Sequence, residues 1–535
     1  MTDEDGIGRD LDGSSSEWHA PHNPWLIALV ATIATFMEVL DTTIVNVSLP
    51  HIAGNLGAEP QDSTYVLTSY LVSNAIVLPL SAWMSSVMGR RNFYLLCILV
   101  FTVSSFLCGI APSLSSLVFF RLLQGVGGGG LQPITQAILI DTFPPRHRAM
   151  SMALFGMTVI TAPIIGPTLG GWITDNFDWR WVFFINVPVG IFALIVSSRL
   201  ISDPPFLVRR RGKDRFRIDF VGLGLISVGI GALQMMLDLG ERYDWFASNF
   251  ITTCALLAVF GLGIGIVWEL FHKDPIVDFR LLRDRNFGLS VVVMLIFGAG
   301  LYASTAVLPL FMQTMLGYSA TWSGLAISPG GVIVMFMMPL VGWAVGRFDA
   351  RVMIAIGMTT IALSLVIMGF FNTQVDFWTI ANARILQGFG LAFIFVPLNS
   401  VAYGFIKKEN RNSASSIINL ARNIGGSVGI ALVSTIVTRQ SQVHQVFVSE
   451  HISPYNPEAA SMLSELTRSL TARFGDPVAA AAAAKQVLYG MVQEQSHMLA
   501  FADAFRFVAP LMLVAIPFIL FMRKPPKVGG DIAAH

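Results

Sequence analysis

The chain is divided into long apolar segments, each about the length that crosses a lipid bilayer as an α-helix. About 20 consecutive apolar residues span the hydrocarbon core in helical form. Of the 535 residues, 54% are hydrophobic and only 13% are charged, against about 25% charged residues in an average soluble protein. We count fourteen segments, namely 25–47, 64–86, 93–111, 117–140, 150–173, 181–198, 219–239, 250–271, 288–312, 322–345, 352–371, 378–403, 413–437 and 504–522. The predicted fold class is therefore an all-α polytopic membrane protein.

The distribution of Lys and Arg over the loops predicts how these segments are oriented. Cytoplasmic loops of membrane proteins are enriched in Lys and Arg. The loops after even-numbered segments and the C-terminal tail carry 23 such residues, whereas the short loops on the other side carry only Arg180 and Arg242. Both termini are therefore expected to be cytoplasmic. The first 22 residues are polar and acidic, which is not the composition of a signal peptide.

An internal repeat relates the two ends of the chain. The run Arg-Leu-Leu-Gln-Gly-Val-Gly at 121–127 recurs as Arg-Ile-Leu-Gln-Gly-Phe-Gly at 384–390, an offset of 263 residues. The same offset relates Arg148 to Arg411, and Gly166 to Gly429. Convergent packing of Gly-rich helices is the alternative explanation, but it does not account for Arg-x-x-Gln-Gly at matching depth.

The repeat predicts two parallel six-helix halves with an inserted helix pair between them, a 6 + 2 + 6 arrangement. Parallel six-helix halves are the plan of major facilitator transporters, with the substrate path between the halves. The predicted regions are an N-terminal cytoplasmic tail (1–24), an N-terminal bundle (25–200), a linker with the two extra helices (201–285), a C-terminal bundle (286–522) that includes a periplasmic helical hairpin (439–503), and a cytoplasmic tail (523–535).

The first segment carries two acidic residues, Glu38 and Asp41, at membrane depth. A charged side chain at the bilayer centre costs roughly 2.5–3.5 kcal/mol on insertion scales, and such residues usually handle ions or protons. Glu38 and Asp41 are three residues apart and share one helix face. Arg121 lies at a similar depth in the fourth segment and is expected to pair with Asp41. Burial favours a neutral acid and a nearby Arg favours a charged one, so movement between such states loads and unloads a proton.

Several motifs resemble those of the drug:proton antiporters of the major facilitator superfamily, in the fourteen-helix (DHA2) subfamily, and in particular the inner-membrane pumps of tripartite efflux systems. They are Leu40–Asn46, Arg121–Pro133, the Gly-Pro pattern of the fifth segment and Trp179–Pro188. The resemblance covers nearly the whole chain and implies multidrug efflux driven by the proton motive force, with antibiotic resistance as its outcome. The resemblance places Arg121 at the family's motif position for proton translocation. From their own placement we expect Asp41 to be the main proton carrier and Glu38 to be shared between proton and substrate, the alternative being that one acid is a static ion-pair partner.

The fifth segment resembles the antiporter motif of exporters. Its small and kinking residues are Gly156, Pro163, Gly166, Pro167, Gly170 and Gly171. Small residues let membrane helices approach closely, so we expect a smooth surface on which the two halves rock. One family element departs from its pattern: Gly89, Arg90 and Arg91 remain after the second segment, but Ala82 and Ser86 replace a Gly and an Asp. Ser86 cannot form the ion pair that locks the halves in the family.

The substrate cavity is predicted between the halves. Its candidate lining residues are Glu38, Gln124, Arg384, Asn419, Arg422 and Asn423. The ninth to twelfth segments carry no acid in their interiors, so the positive charge of Arg384 and Arg422 favours lipophilic weak acids or neutral compounds over dications. Alternatively, Arg422 pairs with Glu38.

Residues 439–503 are expected outside the membrane on the periplasmic side. Leu463, Leu466, Leu470 and Phe474 recur at helical spacing. Gly475 then breaks the pattern, and Asp476 with Pro477 has the signature of a new helix start. The predicted hairpin either docks a periplasmic adaptor, which with an outer-membrane channel is the partner that the resemblance implies, or forms a lid without a partner.

Other classes of function are disfavoured. The pattern Gly125-x-Gly127-x-x-Gly130 lies inside a membrane helix with no preceding strand, and the sequence has no Gly-x-x-x-x-Gly-Lys-Ser/Thr loop. Three scattered Cys residues form neither a disulfide framework nor a zinc site. We therefore expect no enzyme activity, no cofactor or metal, no nucleic-acid partner, and the proton as coupling ion. The competing functions are export of one dedicated metabolite or lipid without adaptor proteins, import, and a membrane enzyme or channel.

Overall fold

The structure is a computed structural model that describes residues 21–59, 62–144, 147–204, 219–453 and 455–523. The described residues form seventeen α-helices and no β-strand: α1 (Pro24–Leu56), α2 (Tyr65–Met88), α3 (Arg90–Gly109), α4 (Leu114–Gly128), α5 (Leu131–Thr142), α6 (Arg148–Asn176), α7 (Trp181–Phe184), α8 (Asn186–Leu200), α9 (Phe220–Leu239), α10 (Asn249–Phe271), α11 (Arg285–Met315), α12 (Ala320–Ala344), α13 (Ala350–Met368), α14 (Phe377–Tyr403), α15 (Arg411–Glu450), α16 (Pro457–Phe474) and α17 (Pro477–Leu520). Residues 1–20 and 524–535 of the predicted tails (1–24 and 523–535) and residues 205–218 of the predicted linker (201–285) lie outside the described residues.

The all-α membrane fold is confirmed, with one correction to the segment at 117–140. Thirteen helices within the described residues are long and apolar enough to cross a membrane. The fourth predicted segment is not a single helix, because it is divided into α4 and α5 at Gly129 and Gly130. Both glycines keep right-handed helical backbone angles, so the chain continues across the membrane. Pro133 lacks the N–H that would bond to the Gly129 carbonyl, which explains the interruption.

The contacts within the two halves repeat, which supports an internal repeat over convergent packing. Helix α4 packs against α2 and α3, and α14 packs against α12 and α13 in the same way. A Cβ at Gly127 would meet the backbone of Phe101 in α3, and one at Gly390 would meet Gly357 in α13. Equivalent glycines therefore permit equivalent close approaches between helices.

The two halves meet through a few helix pairs that position the site. Helix α6 packs along α12, and α15 packs against α2 and α5. The inserted helices α9 and α10 pack against each other, and α9 also contacts α2 and α15. The insertion therefore lies beside one of the seams between the halves.

The region predicted as a separate hairpin is partly built from the membrane helices themselves. Helix α15 continues to Glu450, beyond the predicted end of its segment at 437. Helix α16 ends at Phe474 and is capped by Gly475, whose φ of 72° is left-handed. The Asp476 side chain then accepts a hydrogen bond from the N–H of Val478 at 2.9 Å at the start of α17. Helix α17 then runs unbroken to Leu520, so the second helix of the hairpin and the last predicted segment (504–522) belong to one continuous helix. No Gly or Pro interrupts 491–509, and the helix therefore passes through the change from polar to apolar sequence.

Candidate functional site

Asp41 and Arg121 form an ion pair in the interior of the N-terminal half. Asp41 lies on α1 and Arg121 on α4, and both side chains are fully buried. The guanidinium also donates to the Gln124 side chain at 2.8 Å and to the Val66 carbonyl at 3.1 Å. The pairing predicted from matching depth in the two segments is therefore present.

The Asp41 carboxylate has two further donors. The amides of Gln124 and Asn186 donate to the same oxygen of Asp41 at 3.0 and 2.7 Å. Asn186 in turn is held by Ser105, whose hydroxyl accepts a hydrogen bond at 3.1 Å. A buried carboxylate is tolerated only with a counter-charge and satisfied lone pairs, and this site supplies both.

Glu38 lies in a separate cluster, in which none of the donors to its carboxylate from the described residues is an Arg. Tyr70 and Asn74 donate to one carboxylate oxygen of Glu38 at 3.0 and 3.1 Å, and Gln132 donates to the other at 2.7 Å. The Tyr70 ring also lies against the Arg121 guanidinium, 4.3 Å from the ring centroid. Tyr70 thus joins the two acidic clusters.

The Glu38 cluster extends into the C-terminal half. The Arg422 guanidinium donates to the side-chain oxygen of Gln132, and the amide of Asn423 lies 3.5 Å from the side-chain oxygen of Asn74. Gln132 therefore stands between Arg422 and Glu38, in place of the direct ion pair that the sequence left open.

Arg384 is the repeat counterpart of Arg121 and has a different environment. It is buried and donates to Gln387, just as Arg121 donates to Gln124. Gln387 donates onward to Ser304 at 2.8 Å. The Arg384 Nε has no hydrogen-bond partner among the described residues, and α11 to α14 contain no Asp or Glu. The structure thus places Arg384 apart from the two acids.

Asn419 belongs to a third polar cluster, on the seam between the halves. Its amide and the hydroxyl of Ser415 donate to the side-chain oxygen of Gln136 at 2.7 and 2.9 Å. Gln136 itself donates to Asn399 at 2.6 Å. Sequence reasoning missed six polar residues of these clusters, although an amide or phenol inside an apolar segment is itself a signal; they are Tyr70, Asn74, Gln132, Gln136, Asn186 and Asn399.

The glycines of the Gly-Pro pattern in α6 pack against two different helices. A Cβ at Gly156 would meet the Phe395 ring of the C-terminal half, but Cβ atoms at Gly166 and Gly170 would meet Thr43 and Ile44 of α1. Pro163, Pro167 and Gly171 are buried within the same helix. The expected surface between the halves therefore includes Gly156, whereas Gly166 and Gly170 pack within the N-terminal half.

An ionic network joins the halves at the predicted cytoplasmic end. The Asp141 carboxylate accepts from Arg90 at 2.6 Å and from Arg411 of the other half at 2.5 Å. Gly89 has a φ of 84° at the junction of α2 and α3, and the N–H of Arg91 donates to Asp203 at 2.7 Å. Ser86 and Ala82 belong to α2, and the Ser86 hydroxyl donates to the Trp83 carbonyl of the same helix at 2.7 Å.

Both acids are buried in this conformation. Glu38 is 2% exposed and Asp41 is 0% exposed. Toward the predicted cytoplasmic side, Ser81 bonds to Ser416 at 2.9 Å and Asn412 donates to Ser85 at 3.0 Å. Among the candidate cavity residues, Gln124 lies with Asp41, whereas Arg422 and Asn423 reach the Glu38 cluster. The polar core thus contains two buried acids, and the Glu38 cluster reaches a seam between the halves.

Two related helical bundles that enclose such a core define the class of membrane transporters. The chain belongs to the Major Facilitator Superfamily, whose family model matches residues 31–430. It is 38% identical to the fatty acid resistance protein FarB of Neisseria gonorrhoeae, over 97% of this chain and 98% of that protein. It is 36% identical to the multidrug export protein EmrB of Escherichia coli K12, over 94% and 96% of the two chains. The protein is therefore an EmrB-type transporter and not an enzyme.

A solved structure agrees on the fold. The proton:xylose symporter XylE of the same superfamily matches with a TM-score of 0.60 over 94% of this chain and 96% of that chain, at 15% sequence identity. At this identity the similarity describes the architecture alone.

Proposed function

We propose that the protein is a proton-coupled antiporter that exports lipophilic toxic compounds across the bacterial inner membrane by alternating access. The observation that carries the proposal is the fully buried ion pair of Asp41 and Arg121, which borders the Glu38 cluster on the half–half seam. Both termini are cytoplasmic in this proposal, as the loop charges predict. One proton moving inward supplies about 2.3 kcal/mol per 100 mV and about 1.4 kcal/mol per pH unit.

Proton coupling follows from how the pair responds to movement of the halves. While Arg121 contacts Asp41, the charged carboxylate is stabilised. When rocking of the bundles loosens this contact, burial favours the protonated carboxylate instead. Asp41 is therefore the main proton carrier, Arg121 is its switchable partner, and the proton is the only coupling group required.

Glu38 is the acid that proton and substrate share. Its three contacts are neutral donors, and one of them, Gln132, is also held by Arg422 of the opposite half. A substrate that enters the seam displaces these contacts, so its binding alters the charge state that Glu38 prefers. We place Gln124, beside Asp41, on the N-terminal wall of the substrate cavity. The hydrogen-bond donors on the C-terminal wall are Arg384, Asn419, Arg422 and Asn423.

The names of the relatives support two candidate classes of substrate. The relative named for multidrug export supports broad efflux. The relative named for fatty acid resistance is compatible with the alternative, a dedicated exporter of one metabolite or lipid. In that alternative we propose that the exporter acts without adaptor proteins. Helices α11 to α14 contain no Asp or Glu. The positive charge of Arg384 and Arg422 therefore favours anionic or neutral amphiphiles in either case.

For broad efflux we further propose a tripartite assembly with a periplasmic adaptor and an outer-membrane channel. The outer ends of α15 and α17 extend beyond the apolar segments and carry α16. Large apolar side chains are exposed there, including Tyr455 at 94% and Val478 at 79%. Deletion of 455–476 tests this point: pull-down of the adaptor is expected to be lost, and undiminished pull-down contradicts docking at the hairpin.

The decisive test is proton-driven transport in proteoliposomes under an imposed pH gradient. Asp41→Asn is expected to abolish coupling, with a rate loss of at least about 10²-fold, as for removal of a positioned acid–base group. Glu269→Gln is the matched control, because Glu269 is also a buried membrane carboxyl but accepts from the N–H of Ile276 within the insertion. Coupled transport that survives both Asp41→Asn and Glu38→Gln contradicts the proposal.

A further inference from the structure

The loop that joins the inserted helices, residues 240–248, contacts both halves at the predicted periplasmic end. Its neighbours are the segment before α2 on one side and the outer part of α15 on the other. The mechanism above gives this loop no function. Hydrogen bonds hold only over about 2.7–3.2 Å. A short loop that bonds to both halves therefore has to lose one set of contacts when their outer ends move apart.

On the side of the N-terminal half, Arg242 and Tyr243 hold the loop. The Arg242 guanidinium donates to Asp62 at 2.8 Å and lies 4.9 Å from the centroid of the Tyr65 ring. The Tyr243 and Tyr65 hydroxyls bond to each other at 2.7 Å. Helix α9, which precedes the loop, packs more extensively against α2 than against α15. The loop is therefore anchored to the N-terminal half.

The attachment of the loop to the C-terminal half is weaker. The indole N–H of Trp245 donates to the Thr435 hydroxyl of α15 at 3.0 Å, and Arg439 of α15 donates to Asp244 at 2.6 Å. The Asp244 and Arg439 side chains are 71% and 57% exposed. An ion pair so exposed to solvent contributes little stability. These contacts can therefore break and form again during a transport cycle.

The residues that reach α15 are also those with a left-handed backbone. Asp244 and Trp245 have φ values of 53° and 50°, and they are the non-glycine residues of the described chain with a positive φ. Asp tolerates this conformation, but a bulky residue such as Trp adopts it at a cost. Such a backbone persists only where the surrounding contacts hold it. Loss of the contacts to α15 lets the loop relax, which offsets part of the cost of opening.

We propose that the 240–248 loop is a latch on the outer end of the transporter. The latch is closed while Asp244 and Trp245 contact α15. When the outer ends of the halves separate, the loop stays on the N-terminal half and leaves α15. The inserted pair α9–α10 thereby controls when the outer end opens. The inference uses the alternating access of the proposed function, but neither its cargo nor its coupling ion.

The first test fastens each side of the loop with a reducible bifunctional thiol reagent. Asp244→Cys with Arg439→Cys joins the loop to α15, and cross-linking of this pair is expected to stop transport in proteoliposomes until the reagent is reduced. Asp62→Cys with Arg242→Cys is the matched control, because it replaces an Asp–Arg pair on the anchored side. Cross-linking of the control is expected to leave transport unchanged. Transport by the cross-linked first pair, or loss of transport in both pairs, overturns the latch.

The second test measures opening without transport. Ser427→Cys places a thiol at a buried position of α15 that contacts α9, and a membrane-impermeant maleimide added outside labels it when the outer end opens. Arg439→Gln and Trp245→Phe each remove a latch contact and are expected to raise the labelling rate. Arg506→Gln is the control, because Arg506 pairs with Asp503 of its own helix at 3.4 Å. Equal labelling rates in all of these proteins would exclude the latch.

The two tests separate failure of the latch from failure of the proposed function. If the protein and its variants do not transport, the proposed function fails, and the labelling rates still decide on the latch. If transport is proton-coupled but the labelling rates are equal, only the latch fails.

Discussion

Gln136 and Asn399 occupy equivalent positions in the two halves and bond to each other. They are 263 residues apart, which is the offset of the internal repeat, and the Gln136 amide donates to the Asn399 oxygen at 2.6 Å. Two equivalent residues touch only where the axis that relates the halves passes between them. The pseudo-two-fold axis of this transporter therefore runs through a buried amide pair, about which both halves can turn with little displacement.

Substitutions of this pair are expected to be non-additive. Gln136→Leu or Asn399→Leu alone leaves a buried amide without its partner, at a cost of about 1–3 kcal/mol. The double variant removes both groups and is expected to be less destabilised than the sum of the two. Thermal unfolding of the four proteins in one detergent measures this coupling, and strictly additive losses would argue against the axis contact.

Variants of the buried Asp41–Arg121 pair are expected to affect stability and transport differently. Arg121→Gln leaves an uncompensated buried carboxylate, which costs about 3–5 kcal/mol. The double variant Asp41→Asn, Arg121→Gln has no net buried charge and is expected to regain most of this stability while remaining inactive. A double variant that regains proton-coupled transport would show that the pair is structural.

The Asp141 bridge is expected to hold the predicted cytoplasmic end closed. It links Arg90 and Arg411 across the halves, at the end where Ser86 cannot provide an ion pair. Asp141→Asn is expected to lower disulfide formation between Ser85→Cys and Asn412→Cys, which replace a contact of 3.0 Å across the seam. The three native Cys residues are buried, so background cross-linking is low.

The control for this experiment is Arg351→Gln. Arg351 pairs with Asp349 at 2.8 Å inside the C-terminal half and does not bridge the seam. The control is expected to cross-link as the parent does. Equal cross-linking by Asp141→Asn and its parent would exclude a locking role for Asp141.

The glycines of the repeat are expected to be more sensitive than other membrane glycines. A Cβ at Gly127 would meet the Phe101 backbone at 2.5 Å, and one at Gly390 would meet the Gly357 carbonyl at 2.8 Å. Gly127→Ala and Gly390→Ala are each expected to cost about 1–3 kcal/mol through overpacking. Gly263→Ala has open space and is expected to be neutral or slightly stabilising. Thermal unfolding in detergent distinguishes these outcomes, and equal shifts for all three would contradict the close-packing argument.

The helices and their grouping were predictable because the bilayer imposes a length and a polarity that can be read locally. Arg121 and Arg384 at the same offset as Gly166 and Gly429 were sufficient to indicate two related halves. The boundary between α4 and α5 and the continuity of α17 were not predicted. Both depend on backbone hydrogen bonds near Gly and Pro, which hydropathy does not report.

The sequence by itself determined that the protein is a fourteen-segment membrane transporter with acids in its first helix, because hydrophobic length, loop charge and repeated motifs are properties of the chain. Only the tertiary structure decided that Arg121 contacts Asp41 while Gln132 separates Arg422 from Glu38. It also decided that Gly166 faces α1 and that Asp238 joins α15 through Gln234. In each case several residues lie at the same membrane depth, and the structure shows which of them contact each other. These contacts depend on how the helices rotate and pack, which the order of residues along one helix does not specify.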